Sequence, residues 1–211
     1  MKHYPKLFTP GKIANLIVKN RIVMTAMGTC LADVDGQPSP EIIKYYEARA
    51  KGGVGLIITE ITRIDEAEGK GISHQLGATE MKHIAAIQQL TDTIHSHGTK
   101  IFLQLQHPGK EGIAQLTNGP LVAPSVIPGS KGNMPRELST EEVQGLVKKF
   151  ITGAVIARAG GADGVEVHAA HGYLVNQFLS PRHNHRTDQY GGSFENRLRF
   201  AVEIVSGIRQ A

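Results

Sequence analysis

Two hydrophobic periods alternate along this chain. Short runs rich in β-branched residues are followed by longer stretches whose apolar positions fall three and four apart. Residues 6–19 (KLFTPGKIANLIVK) read as a short hairpin around Pro10-Gly11, and Asn20 to Met27 as the first core strand, with Ile22, Val23 and Met24 as its buried run. Ser39-Pro40-Glu41 combines a cap, a first-turn proline and an acid at the positive end of the helix dipole, so a helix is predicted from there to about Lys51, ending at Gly52-Gly53. Val54 to Ile61 is the second strand. Thr79 to His97 is a helix with Ile84, Ile87, Leu90 and Ile94 on one face and Gly98 as its stop. Lys100 to Gln106 is the third strand. Ser139 and Glu142 have capping-box spacing. Behind them Val143, Leu146, Val147, Phe150, Ile151, Ala154 and Val155 follow a helical stripe to Gly160-Gly161. A fourth strand starts at Gly164. The last helix spans about Ser193 to Arg209, with Leu198, Ala201, Val202, Val205 and Ile208 facing the core.

Four strands alternating with four helices imply a parallel sheet with helical cover. The connections are unequal. From helix to strand they are short, as at Gly52-Gly53 and Gly98-Thr99. From strand to helix they are long, covering roughly 62–78, 107–138 and 168–192. Long loops therefore gather at the carboxyl ends of the strands, the rim where barrels and open parallel sheets build sites. A dinucleotide-binding reading fails, because the G-x-G within Gly52-Gly53-Val54-Gly55 precedes a strand instead of following one. Those glycines are read as a helix stop and close packing.

The 211 residues are 40% hydrophobic and 20% charged, enough for one sizeable core. A net charge of +4 mildly favours anionic ligands, and no block of like charge suggests a nucleic-acid partner. The single cysteine, Cys30, excludes an internal disulfide and fits a reducing compartment. From Met1 the chain carries no apolar leader, and its longest apolar run is far too short for a bilayer. A cytoplasmic protein with no membrane partner is expected.

The chemistry concentrates between Gly164 and Arg197. Val165, Glu166 and Val167 alternate as a strand does, and His168, His171 and Tyr173 follow at once. Residues three apart on a continuing strand point to opposite faces, so the two histidines converge only if the strand has ended by Ala169 or Ala170. Taken singly, each ring would be a structural residue; as HAAHGY they read as a site. Two chemistries stay open on these residues. The rings can serve as proton and hydrogen-bond donors, or Glu166, His168 and His171 can be metal ligands of a hydrolase or lyase. His183, His185, Arg186, Asp188 and Tyr190 read as loop architecture, and Arg63 and Lys70 as solvated.

The segments VEVHAAHGYLVNQFLSP and NHRTDQYGGSFENRLRF resemble the signature of the old yellow enzyme family of FMN-dependent oxidoreductases. LFTPGKIANLIVKNRIVMTAMG, GLIITE and KIFLQLQHPG agree with it in the expected order, so the resemblance covers essentially the whole chain. It is similar above all to the bacterial branch of dienoyl-CoA, enoate and xenobiotic ene-reductases. The resemblance implies a (β/α)8 TIM barrel holding FMN at its carboxyl rim. It implies that Thr25, Ala26, Met27 and Gly28 lie against the flavin ring, that Ile61 touches it through its backbone just after the second strand, and that Gln104 bonds its pyrimidine edge. His168 and His171 would hold the substrate's carbonyl or carboxylate oxygen and Tyr173 would give the proton. NADH or NADPH would supply the electrons and a small molecule would be the substrate. No metal is implied.

Two departures qualify the resemblance. Some members place a cysteine against the flavin where this chain has Gly28; Cys30 lies two residues on and is read as a buried thiol with no redox role. Residues 1–211 also supply only four βα units, the N-terminal half of an FMN-binding barrel that needs eight. The expected reaction is reduction of activated C=C bonds. The alternatives are a non-catalytic truncated homologue or half-barrel assembly subunit, including a homo-oligomer that completes the barrel, and the metal-dependent barrel hydrolase or lyase. With no cysteine cluster, an iron–sulfur centre and a second flavin have no support in this chain.

Overall fold

The computed structural model describes residues 4–211. The expectation about a leader, which starts at Met1, lies partly outside them. Strands β1 (Gly11–Ile13) and β2 (Leu16–Val18) form an antiparallel hairpin. Its turn is at Ala14-Asn15, with Ala14 at φ 48°, and not at Pro10-Gly11. Strand β3 is only Val23–Met24, shorter than the predicted 20–27. It has one neighbour, and the chain beyond it leaves the ladder to bond a side chain of the next strand.

The order then continues α1 (Pro40–Lys51), β4 (Leu56–Arg63), α2 (His83–His95), β5 (Lys100–Gln106), β6 (Val122–Ala123), β7 (Arg136–Glu137), α3 (Thr140–Ala159), β8 (Gly164–Val167), α4 (Leu174–Leu179) and α5 (Phe194–Gln210). Strands β3, β4, β5 and β8 form one parallel sheet in that spatial order. Consecutive parallel strands joined through helices are the repeating unit of the expected barrel. Ser39 caps α1 and Ser139 and Glu142 close a capping box on α3, as the sequence indicates, and Ser193 caps α5. Helix α2 begins later than predicted. Thr79 donates its hydroxyl to Glu66 and is not a helix cap, and the His83 ring accepts from the Glu80 N–H. Helix α4 falls inside a stretch expected to be loop.

Strand β4 is buried along its whole length, as parallel strands covered on both faces are. Ile57 packs with Ile42, Tyr46, Leu90, Ile94 and Ile101 under α1 and α2. Leu56 and Ile58, on the opposite face, meet Val18 of the hairpin. A larger cluster joins Phe150, Phe178, Tyr190, Phe200 and Ile204 with Leu103 and Leu105 of β5. The stripe read for α5 is shifted. Phe200 and Ile204 are buried, whereas Val202 and Val205 are exposed. On α3, Ile156 and Ala157 are buried while Val155 is exposed. Val155 and Val205 line a groove of about 440 Å³ beside the free edge of β8. No helix among the described residues is long and apolar enough to cross a membrane.

Candidate active site

Strand β8 ends where the sequence requires. The His168 N–H makes a last ladder bond to Leu105 O. His171 then sits at φ 57° and Gly172 at φ 76°, two left-handed residues that reverse the chain. The turn is held from several sides. The Tyr173 N–H donates to Ala170 O, the Leu174 N–H to His107 O, and the buried Gln177 amide to Gly172 O at 2.6 Å and Pro108 O at 3.2 Å. The result gathers three rings. His168 lies 5.1 Å from His171 and 4.9 Å from Tyr173 between ring centroids, both edge-to-face. His168 is buried and His171 exposed, so the cluster runs from the sheet into solvent.

The hydrogen bonds assign the His168 tautomer. The Ala170 N–H donates to Nδ1 at 3.2 Å, so the neutral ring carries its hydrogen on Nε2. That atom is 3.3 Å from His171 Nδ1. Burial, and then His171, push His168 below the usual imidazole value, with Glu166 opposing. A neutral His168 with an Nε2–H donor is therefore the form present at pH 7.

Gln104, on β5, is paired in register with Glu166 of β8, and its Nε2 donates to Glu166 Oε1 at 2.7 Å. The β4–β5 register shifts between Ile58 and Ile61. The groups this irregularity leaves without ladder partners are met by side chains. The Gln104 N–H reaches Thr59 Oγ1 at 3.3 Å, and the Glu60 N–H reaches the Tyr46 hydroxyl at 2.7 Å. Glu60 is fully buried, and its carboxylate accepts from Thr29 N–H (2.5 Å), Thr29 Oγ1 (2.6 Å) and Leu76 N–H (3.4 Å). Burial holds the Glu60 carboxyl above its ordinary value, while the Thr29 bonds pull it back. This carboxylate pins the chain that leaves β3.

Thr25, Ala26, Met27 and Gly28 lie on that exit, at the same end of the sheet as the rings. Met27 is 58% exposed and offers apolar surface there, and Gly28 faces Ile72, whose Cδ1 would lie 3.2 Å from an added Cβ. Ile61 is buried inside β4 and does not follow the strand as expected, because β4 runs on to Arg63. Cys30 is exposed, at φ 57°, and is not the buried thiol anticipated. Arg63 is not solvated: it is 2% exposed and bonds Asp35 O, Gln75 O and Glu66. Lys70 is partly exposed and sits 3.7 Å from Glu66. Arg186, Asp188 and Tyr190 do hold loops: Arg186 pairs with Asp188, and the Tyr190 hydroxyl donates to Glu203.

The structure thus brings His168, His171 and Tyr173 together and sets Gln104 on the adjoining strand. Sequence reasoning missed the roles of Glu60, Glu166 and Gln177. An acid inside a buried apolar strand was the available signal for Glu60; nothing local marked Gln177. Among the described residues no three His, Cys, Asp or Glu side chains gather as metal ligands, and the Glu166 carboxylate is engaged by Gln104. The donor set suits a flavin instead. A carboxamide with Oε1 unspent, an exposed apolar side chain and a neutral imidazole donor share one rim.

A parallel βα sheet with its polar rings at the carboxyl rim is the arrangement on which α/β barrels build their sites, and known proteins narrow the class. Residues 6–211 match the NADH:flavin oxidoreductase / NADH oxidase family, and the chain belongs to that family. It is 47% identical to an NADH oxidase of Thermoanaerobacter brockii, over 100% of this chain and 33% of that protein. It is 42% identical to an NADPH dehydrogenase of Halalkalibacterium halodurans, over 99% of this chain and 60% of that protein. A solved 2-naphthoyl-CoA reductase in complex with 2-naphthoyl-CoA superposes with a TM-score of 0.94 at 34% identity, covering 99% of this chain and 34% of its own. The chain therefore spans between a third and three fifths of these relatives. Its α/β fold is that of a partial (β/α)8 barrel.

Proposed function

We propose that the protein carrying this chain is an FMN-dependent oxidoreductase that takes electrons from NADH or NADPH and reduces C=C bonds conjugated to a carbonyl or carboxylate. Residues 1–211 would form the N-terminal part of its barrel. The observation that carries the reading is the convergence of His168, His171 and Tyr173 at the end of β8. Thr25 to Gly28 and Gln104 would hold the cofactor, with the Ile61 backbone beside it. When bound, FMN would supply the hydride that reduces the alkene.

The chain's own residues do the rest. Negative charge develops on the substrate oxygen as the alkene is reduced. The Nε2–H of His168 and a ring N–H of His171 would donate to it. Their mutual contact at 3.3 Å is long, and an anionic oxygen is the stronger acceptor. Low burial of His171 leaves the oxygen a path from solvent. Tyr173, next to the turn that the Gln177 amide holds through Gly172 O, would offer its phenolic proton to the α-carbon. A phenol is protonated at neutral pH and acidic enough to transfer when held close.

Tyr173→Phe tests this in the full-length protein. Alkene reduction is expected to slow by about 10²–10⁴-fold, the range for loss of a general acid, with flavin reduction by NAD(P)H little changed. Equal slowing of both half-reactions would remove Tyr173 from the acid role.

A further inference from the structure

Glu166 stands out among the polar groups at the rim. It is an acid on the central stretch of a short strand, it makes no ion pair among the described residues, and its carboxylate is spent on one contact, from Gln104 Nε2 at 2.7 Å. The two residues are direct neighbours across parallel strands, so the contact is built into the β5–β8 register. It also shares a strand face with His168, two residues on. We propose that Glu166 is a positioning residue, which fixes the way the Gln104 carboxamide presents its oxygen and nitrogen to the imide edge of the flavin.

The reason is the asymmetry of the pair. A carboxamide can be rotated end for end at little cost, and the two orientations offer opposite donor–acceptor patterns. A carboxylate only accepts. Beside Glu166, therefore, the Gln104 nitrogen must face the acid. The Oε1 and the remaining N–H are left for a ligand. The backbone of Gln104 is itself clamped by Thr59 Oγ1, so the side chain starts from a fixed root. The imide edge of a flavin carries one N–H donor flanked by carbonyl acceptors. An amide with its oxygen committed to one direction matches that pattern in one orientation only. Glutamine at 166 could donate or accept and would satisfy either orientation of Gln104, so the selection would be lost.

This inference rests on the flavin reading above, and the test separates the two. FMN and N3-methyl-FMN, which lacks the imide N–H, are titrated into the apo form of the full-length protein and of Glu166→Gln, with Kd read from flavin fluorescence. The wild type is expected to bind the methylated flavin about 10-fold or more weakly than FMN. Glu166→Gln is expected to bind FMN about 5- to 20-fold more weakly and to discriminate by no more than about 3-fold. A purely structural role would weaken both flavins by the same factor and keep the discrimination; that result overturns the proposal, as does unchanged binding in the variant. Equal affinity of the wild type for the two flavins overturns it without any variant. Should Glu166→Gln not fold, Glu166→Asp keeps the charge but shortens the reach, and the same loss of discrimination is expected of it. A wild type that binds neither flavin refutes the flavin reading and this inference with it, whereas normal wild-type selectivity with an indifferent variant refutes Glu166 alone.

Discussion

Arg63 closes the carboxyl end of β4, and removing it should do far more than a surface arginine would. Its guanidinium is 2% exposed and donates in three directions. Nη2 bonds Asp35 O at 2.8 Å, Nη1 bonds Gln75 O, and Nε reaches Glu66 Oε1 at 3.0 Å. Around it the backbone forms a closed stitch: Arg63 N–H to Leu76 O (2.8 Å), Ala78 N–H to Arg63 O (2.9 Å) and Gly77 N–H to Gly36 O (2.9 Å). Arg63→Ala leaves the buried Gln75 carbonyl without its donor and takes one partner each from Asp35 O, which His83 still reaches at 3.1 Å, and from Glu66, which Thr79 still bonds. Breaking one side of a buried charge network costs about 3–5 kcal/mol, whereas losing a solvated pair costs about 0–1 kcal/mol. The gap between the two figures makes the test decisive. Urea denaturation of the full-length variant should show a loss in the upper range. Hydrogen exchange at Gly77 and Ala78 should speed up together with it. Gly36→Ala should mimic the effect, because an added Cβ would lie 2.6 Å from the guanidinium nitrogens at a φ of +90°. A loss below about 1 kcal/mol with Gly77 protection intact would show Arg63 to be a solvated side chain after all.

Two further outcomes concern pH. His107 is buried, and burial holds its ring down to about 4 from an ordinary 6.5, with Asp65 opposing. The unfolded chain therefore takes up the proton first, and stability should fall as pH drops from 6.5 towards 4. Urea midpoints across that window should show the slope, His107→Gln should flatten it, and an NMR titration of the ring near 6.5 would contradict it. Asp163 bonds His95 (2.7 Å), Lys100 (2.8 Å) and the Ile101 N–H (3.0 Å). Burial pushes its carboxyl up, but Lys100, His95 and Ile101 together hold it below the usual range. The stabilisation is thus present above about pH 4 and lost as pH falls through the depressed value. Asp163→Asn should cost about 1–3 kcal/mol at pH 7 and progressively less under acid; a difference that does not shrink on acidification would refute the assignment.

Local physics made much of this chain legible in one dimension. Ser39 and Ser139 announced two helices, because a cap is settled by bonds within one turn. The runs at Val54–Ile61 and Lys100–Gln106 announced strands of a parallel sheet, because short runs rich in β-branched and apolar residues alternate with helical stripes. Unequal connections put the rim at the strands' carboxyl ends, and HAAHGY forced its own turn, since two histidines three apart meet only where a strand stops.

Whatever depended on partners distant in sequence was decided by the tertiary structure alone. Arg63 reads as solvated until Asp35, Gln75 and Glu66 are seen to surround it. Val202 and Val205 fit a helical stripe, but which stripe faces the core depends on where the helix docks, and α5 docks through Phe200 and Ile204. The pairing of Gln104 with Glu166 comes from strand register, which a sequence records only weakly, and the hold of Gln177 on Gly172 and Pro108 comes from α4 meeting a loop distant in sequence. Periodicity and caps are properties of neighbours along the chain. Register, docking and the satisfaction of buried polar groups are properties of neighbours in space, and the side chains of this site owe their orientation to those.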